Sequence, residues 1–368
     1  MFPVMNSASK INGILFCVML FGMFLYSLPA VFGFAGMQTQ AMTLFLDGKL
    51  VRQFEQFYDK NLFLRDPSVK LWANIQHTIF REGASGVVLG RDGWLFTNQE
   101  YLVPNNLQRN LDKQLAQISK VQAQLAQQGK RLILLPIPMK LDTYAQHAAY
   151  APTEQITGLY ERFSEQLRER GIATVDLRSA YMTASAHEQL FLRNDTHWSP
   201  KGAELAAQTL ARQFPELRAD TAYATHAVSE KAVEGDLLNY LKFDPRLDPT
   251  YFEPVHINLY ETLKQTQPLA ADSLFGEEAL SLALVGTSYT RIDDWNFIGF
   301  LKQALQRDLV SVALEARGPF QSMDAFLASP AAAGSDLQTI IWEFPLRTLL
   351  AQRQIPSALA TPPTTAQH

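Results

Sequence analysis

Leu132–Ile137 reads LILLPI, six apolar residues in unbroken succession. A run this short without polar alternation predicts a strand covered on both faces, as in the middle of a parallel sheet. The segments on either side are periodic in a different way. Leu107, Leu111, Leu115, Ile118 and Leu125 recur at helical spacing between Pro104 and Gly129, and the glutamines between them form a solvated face. Ile156, Leu159, Phe163 and Leu167 mark a second helix closed by Gly171, and Ala173–Leu177 reads as the next strand. Further on, a helix is expected from Pro200, then a long irregular stretch to about Asp272. Strands follow at 282–285, 310–314 and 339–344, with a helix over 296–305. Ahead of all these, Gly86–Phe96 (GVVLGRDGWLF) places two apolar strands around Arg91-Asp92-Gly93, the pattern of a hairpin. Strands alternating with helices give an α/β fold, a parallel sheet with helices on both faces. In such sheets ligands bind beyond the carboxyl ends of the strands.

The N-terminus has another character. Between Lys10 and Asp47 there is no charged residue, and Ile11–Phe34 reads INGILFCVMLFGMFLYSLPAVFGF. As a helix this stretch rises roughly 36 Å, enough to cross the hydrocarbon core of a bilayer. A cleaved signal peptide has a shorter apolar region and a small-residue cleavage site, to which Phe34-Ala35-Gly36 is the nearest approach, so the length favours an uncleaved signal anchor. A buried soluble helix would need protein on every side. Lys10 before the span keeps the short N-terminus cytoplasmic and sends the bulk of the chain to the far side, the periplasm of a Gram-negative bacterium. The expected divisions are a cytoplasmic 1–10, an anchor over 11–36, a membrane-proximal segment over 37–84, the α/β domain over 85–347 and a flexible tail over 348–368.

Composition narrows the function. The 368 residues carry 32 Lys+Arg against 36 Asp+Glu, a formal charge of −4, which excludes nucleic-acid binding driven by a basic excess. The single cysteine, Cys17, lies in the apolar run and leaves neither an intrachain disulfide nor a cysteine-based metal site.

Two constellations carry chemistry. In Asn194-Asp195-Thr196-His197-Trp198-Ser199-Pro200, an extended segment would project Asp195 and His197 the same way. Asp195 could then accept the Nδ1–H of His197, fix the tautomer and leave Nε2 free to take a proton. Ser199 and Pro200 fit the N-cap and first position of a helix, and the plainer reading is that Asp195 and Thr196 only help that helix start. Two ligands without a visible third do not make a metal site, so no metal is expected. The second constellation, Leu284–Thr290 (LVGTSYT), runs from an apolar strand into Ser288, where Gly286 permits a tight turn and nearby main-chain N–H groups could face an oxyanion. By itself Gly-x-Ser after a strand is a common turn, and the second glycine of a nucleophile elbow is missing. Together the stretches supply a nucleophile, a base and an orienting carboxylate: Ser288, His197 and Asp195. His77, His147, His187, His226, His256 and His368 have no carboxylate at that spacing in a strand-end context.

The combination of GRDGWLF (90–96), NDTHWSPKGAE (194–204), VGTSYT (285–290) and WNFIGFLKQAL (295–305) resembles the alginate O-acetyltransferase family over roughly Ser85–Phe344. The Asp-His segment precedes the serine, as in the circularly permuted arrangement of that family. The resemblance implies a three-layer SGNH/GDSL-hydrolase-like domain tethered by a single anchor. It implies Ser288 as acyl-accepting nucleophile, His197 as general base and acid, and Asp195 as orienter. It further implies acetylation of an exported polysaccharide, alginate foremost and cellulose as a competitor, within exopolysaccharide biosynthesis. With this it implies no bound cofactor and an acetyl donor supplied by a membrane-bound acyl-exporting partner. The larger secreted member of the family adds a carbohydrate-binding module, for which too few residues follow Phe344. Tyr289, Asn296, Arg291 and Trp198 are the candidates for oxyanion or substrate contacts: Asn296 as an oxyanion donor or a helix start, Arg291 and Arg193 as partners for sugar carboxylates, and Trp198, Tyr289 and Trp295 as stacking surfaces or core. A carbohydrate esterase would use the same three residues with water as acceptor, and a non-catalytic polysaccharide-binding scaffold would not use them at all.

Overall fold

Strand β3 (Arg131–Ile137) is buried from Leu132 onward, as its unbroken apolar run requires. The computed structural model that shows this describes residues 4–61, 65–265, 280–315 and 319–350. These group into two compact units, divided between Ile75 and Gln76.

The first unit begins with α1 (Val4–Met37), in which Lys10–Met37 is apolar enough to cross a membrane, with a mean hydropathy of 2.2. This agrees with a single-pass anchor. After α2 (Ala41–Leu46), α3 (Leu50–Asn61) sets Phe54 and Phe57 against Phe34, at centroid distances of 5.3 and 5.6 Å, and Tyr58 within 2.6 Å of the Ser27 hydroxyl. Helix α4 (Arg65–Phe80) runs across the division.

The second unit opens with the antiparallel hairpin β1 (Val87–Leu89) and β2 (Leu95–Thr97), whose turn places Asp92 and Gly93 at positive φ. Helix α5 (Leu107–Gln127) buries Leu111, Leu115, Ile118, Val121 and Leu125 along one stripe, and it packs on β3. After the short turns α6 (Lys140–Thr143) and α7 (Glu154–Thr157) comes α8 (Leu159–Glu169). The expected strand over 173–177 is only β4 (Ala173–Thr174), because Asp176 caps α9 (Leu177–Ala184) by accepting the Ser179 N–H. Helix α10 (Pro200–Gln213) starts on Ser199, whose hydroxyl accepts the Gly202 N–H, with Pro200 in its first turn.

The expected irregular stretch to Asp272 needs correction. It holds a two-stranded antiparallel ribbon, β5 (Tyr223–Val233) and β6 (Val255–Lys264), packed near α10 and α12. Its strands carry mixed polar and apolar residues with no clean alternation, because much of β5 faces solvent. Residues 266–272 of that stretch lie outside the described residues, as do 351–368 of the expected tail.

Strand β7 (Leu282–Gly286), α11 (Ser288–Arg291), α12 (Phe297–Leu305), β8 (Val310–Ala313), α13 (Pro319–Leu327), α14 (Pro330–Ala333) and β9 (Thr339–Pro345) complete the unit. The main sheet has the order β4-β3-β9-β7-β8, and every neighbour pair is parallel. The last strand inserts between β3 and β7, with Ile341 level with Ile133 and with Leu284. Strands β3, β7 and β9 are buried along almost their whole length, so helices cover both faces of the sheet. The chain winds outward from β3 to β4 on one side and from β7 to β8 on the other, so the carboxyl ends of β3, β9 and β7 border the point where the winding reverses. An open sheet leaves its crevice there.

Candidate active site

Ser288 is the first residue of α11, two residues beyond the end of β7. Its hydroxyl lies 2.8 Å from His197 Nε2, and His197 Nδ1 lies 2.6 Å from Asp195 Oδ1. The fold thus brings together the three residues singled out above, from stretches 91 positions apart. Ser288 is partly exposed, whereas His197 and Asp195 are buried.

Asp195 and His197 meet for a different reason from the one expected. The segment is not extended. It is a turn closed by an isolated bridge between Phe191 and Trp198, and Asp195 Oδ1 accepts the main-chain N–H of His197 at 2.8 Å as well as facing its ring. A carboxylate that bonds the backbone two residues on makes its own turn. Burial works to raise the Asp195 carboxyl, but the His197 ring and N–H and the Asp236 N–H outweigh it and bring it down to about 2. Asp195 is therefore an anion at any pH near neutrality.

Asp236 was invisible in the local pattern. Its main-chain N–H donates to Asp195 Oδ2 at 2.8 Å, while its own carboxylate accepts the Thr196 N–H at 2.8 Å and the Thr196 hydroxyl at 2.6 Å. Asp236 Oδ2 is 4.0 Å from His197 Nδ1. Burial and the nearby Asp195 charge raise the Asp236 carboxyl. Ligand atoms of Asp195, His197 and Asp236 lie within 4.8 Å of one another, which supplies the third neighbour the sequence did not show. Both Asp195 oxygens and His197 Nδ1 are already engaged in hydrogen bonds, so the cluster reads as a relay that orients the imidazole.

Close approach of two loops makes this possible. A Cβ on Gly235 would lie 2.0 Å from the Asn194 carbonyl oxygen, and that oxygen accepts the Leu237 N–H at 3.3 Å. Gly235→Ala should push the loops apart and lift the Asp236 N–H off Asp195. Overpacking of this kind costs about 1–3 kcal/mol. A lower melting temperature together with slower ester turnover is the expected result, and unchanged values of both would remove the clamp from the account.

The Ser288 turn is held from below by Glu343, a fully buried residue near the end of β9. Its carboxylate accepts the Thr287 N–H and the Thr287 hydroxyl, each at 2.8 Å, and the Thr290 hydroxyl at 2.7 Å. Gly286 is small because of this group: a Cβ there would lie 2.3 Å from Thr290 Oγ1 and 2.6 Å from Glu343 Oε2. Burial raises the Glu343 carboxyl, and the three donors work against the rise.

The other candidates fall in different places. Tyr289 is buried; its hydroxyl donates to the Thr196 carbonyl and accepts from Arg347, whose guanidinium lies 5.3 Å above its ring. Its ring is therefore a strut between the two stretches and not a stacking surface. For Trp198 the core alternative holds and the stacking one is corrected: it is fully buried, packed on Phe297 and Tyr289 with centroids at 4.7 and 5.2 Å. Trp295 is buried with its ring stacked 6.0 Å from His197. Asn296 holds a left-handed conformation at the start of α12, and its amide donates to Thr262 at 3.1 Å, so that donor is turned to the ribbon. Arg291 is exposed, and Arg193 is paired with Glu253 at 3.0 Å. Histidines set aside for lack of a carboxylate at short sequence spacing meet one in the fold: His147 faces Asp92 and His256 faces Glu230, each at 3.0 Å, and His77 lies 4.0 Å from Asp248.

Comparison with known proteins places this geometry in a family. A family model described as "SGNH hydrolase-like domain, acetyltransferase AlgX" matches residues 87–346. The protein named probable alginate O-acetylase AlgJ of Pseudomonas aeruginosa is 37% identical over 343 residues, covering 90% of this chain and 87% of the relative. Its namesake in Pseudomonas syringae pv. tomato is 35% identical over 332 residues, covering 88% and 84%. Among solved structures, the O-acetyltransferase domain of Pseudomonas putida AlgJ superposes with a TM-score of 0.66 at 33% identity, covering 74% of this chain and 95% of that domain. The AlgX structure of Pseudomonas aeruginosa shares the fold, with a TM-score of 0.54 at 20% identity. The matched span takes in the sheet, the Asp195–His197 turn and the Ser288 turn, and the chain belongs to the AlgX/AlgJ family of SGNH hydrolase-like acetyltransferases.

Proposed function

We propose that this protein is a polysaccharide O-acetyltransferase that works through an acetyl-serine on Ser288. The observation that carries the reading is the continuous relay from Ser288 Oγ through His197 to Asp195, at 2.8 and 2.6 Å, with only the serine reaching partial exposure. A serine hydroxyl becomes a competent nucleophile when an oriented base takes its proton. His197 Nε2 removes that proton as Ser288 Oγ attacks the acetyl carbonyl, then returns it to the departing donor. In the second half a sugar hydroxyl attacks the acetyl-serine, His197 takes its proton, and Ser288 leaves with that proton restored. The Ser288 N–H has no acceptor among the described residues, which suits it to the developing oxyanion.

The substrate and setting follow from the relatives. Their name, alginate O-acetylase, supports alginate as the acceptor polymer and polymer biosynthesis as the context. The apolar span behind Lys10 supports a single-pass inner-membrane protein with its catalytic unit in the periplasm. On this reading the acetyl group arrives from a membrane-bound acyl-exporting partner, and no resident cofactor is needed. An esterase differs only in its acceptor. The test is to supply p-nitrophenyl acetate with and without alginate oligomers. Acetylated oligomer should accumulate in step with nitrophenol. Release of free acetate at the same rate in both arms, with no acetylated sugar, would make it an esterase; no turnover and no labelling of Ser288 by a sulfonyl fluoride would leave a binding scaffold.

A further inference from the structure

Beneath the relay lies a buried cation that the mechanism above does not use. Lys140 follows β3 at the start of α6 and is 2% exposed. Its Nζ donates to three main-chain oxygens, Leu95 at 2.6 Å, Arg193 at 2.9 Å and Asp195 at 3.0 Å. It also lies over the rings of Trp94 and Phe96, at 5.2 and 5.3 Å. Three acceptors need three N–H bonds, which an ammonium has and a neutral amine lacks. Two aromatic faces add a preference for the charged form. Glu100 completes the arrangement: its buried carboxylate accepts the main-chain N–H groups of Lys140 at 3.3 Å and Leu141 at 2.7 Å.

We propose that Lys140 is a positioning residue for the acyl-transfer site, its ammonium tying the carbonyl ends of Arg193 and Asp195 to β2 so that the Asp195 carboxylate meets His197 in line with Ser288. The inference rests on the Ser288–His197–Asp195 reading and extends it to a group that touches neither substrate nor reacting atoms. Charged groups face Lys140 from several elements: Glu100 after β2, Asp195 in the turn, Asp236 after β5, and Arg347 after β9. Burial pushes Lys140 down to about 7; Glu100, Asp195 and Asp236 raise it, and Arg347 adds to the fall. The tie is complete in the protonated form and loses a donor as Lys140 deprotonates, so the alkaline side of the pH profile carries its signature.

The test uses the detergent-solubilised full chain, with p-nitrophenyl acetate as the probe and Ser288→Ala as the reference for the triad itself. Lys140→Met keeps the length and removes the donors. Displacement of a reacting group by about 1 Å costs on the order of 10²-fold in rate. We expect kcat to fall by about that factor with little change in KM, and the low-field proton resonance of the His197 Nδ1–H···Asp195 bond to be lost or broadened. Lys140→Arg, which stays charged, should restore part of kcat and move the loss of activity to higher pH. Should Lys140→Met not fold, the wild-type titration decides: the low-field resonance and kcat should fade together as pH rises. Wild-type kcat and an intact resonance in Lys140→Met, or independent fading in the wild type, would overturn the proposal. Retained turnover in Ser288→Ala would instead overturn the triad reading on which it rests.

Discussion

Ser288→Ala should abolish acetyl transfer and leave the fold standing. The hydroxyl contributes one hydrogen bond, to His197 Nε2, at a partly exposed position, so its loss leaves no large cavity. The turn itself is held by Glu343 on Thr287 and Thr290, which the substitution does not touch. Loss of a nucleophile in a serine–histidine site lowers turnover by about 10⁶-fold in a comparable hydrolase. Transfer to alginate oligomers should fall to background, with an unchanged melting temperature and no adduct from a sulfonyl fluoride. Normal turnover in the alanine variant would show that the acyl group never visits this residue.

Asp195→Asn should be nearly as damaging for a different reason. The carboxylate accepts the Nδ1–H of His197 and thereby leaves Nε2 unprotonated toward Ser288. An amide of the same shape can present a donor to Nδ1, which favours the wrong tautomer and withdraws the charge that stabilises the imidazolium. The corresponding change in a serine protease costs about 10⁴-fold in kcat. A stability signature accompanies it. A carboxyl held at about 2 in the fold, against an ordinary 3.8, lends stability that is complete above 3.8 and is lost as pH falls through about 2. The asparagine variant lacks that contribution, so its acid unfolding should lose one proton's worth of pH dependence in this window. An acid titration of the wild type and the variant, followed by circular dichroism, measures the difference.

The buried polar groups around the relay divide the work. Glu343 sets the Ser288 turn from β9, Asp236 holds Asp195 beside His197 from the loop after β5, and Lys140 reaches the Asp195 turn from the end of β3. Arg347 and Tyr289 join the two stretches through the Thr196 carbonyl. Such groups are expensive to bury singly and stabilising only when each finds its partners, which gives the site one well-defined arrangement. Part of what looked like substrate-binding chemistry in the sequence therefore belongs to this scaffold: Trp198 and Tyr289 are buried in it, and the Asn296 amide is turned to Thr262.

Local pattern was enough for the parts whose physics is local. An unbroken apolar run such as LILLPI becomes a covered strand, a serine before a proline caps a helix, and the apolar run Ile11–Phe34 lies in a helix that can span a bilayer, because each depends on neighbours within a few positions. Asp195, His197 and Ser288 could be read as a set because together they offer a hydroxyl, an imidazole and a carboxylate, and because the order of their motifs resembles one family, which is the family the comparisons give. The β5–β6 ribbon was not legible, since strands half open to solvent carry no clean alternation. Asp236, Glu343 and Lys140 were hidden for another reason. They stand 41, 56 and 55 positions from the residues whose backbone or side chain they hold, and such partnerships exist only after the sheet has taken the order β4-β3-β9-β7-β8. Strand order is settled by packing over the whole domain, and no spacing within a single segment encodes it.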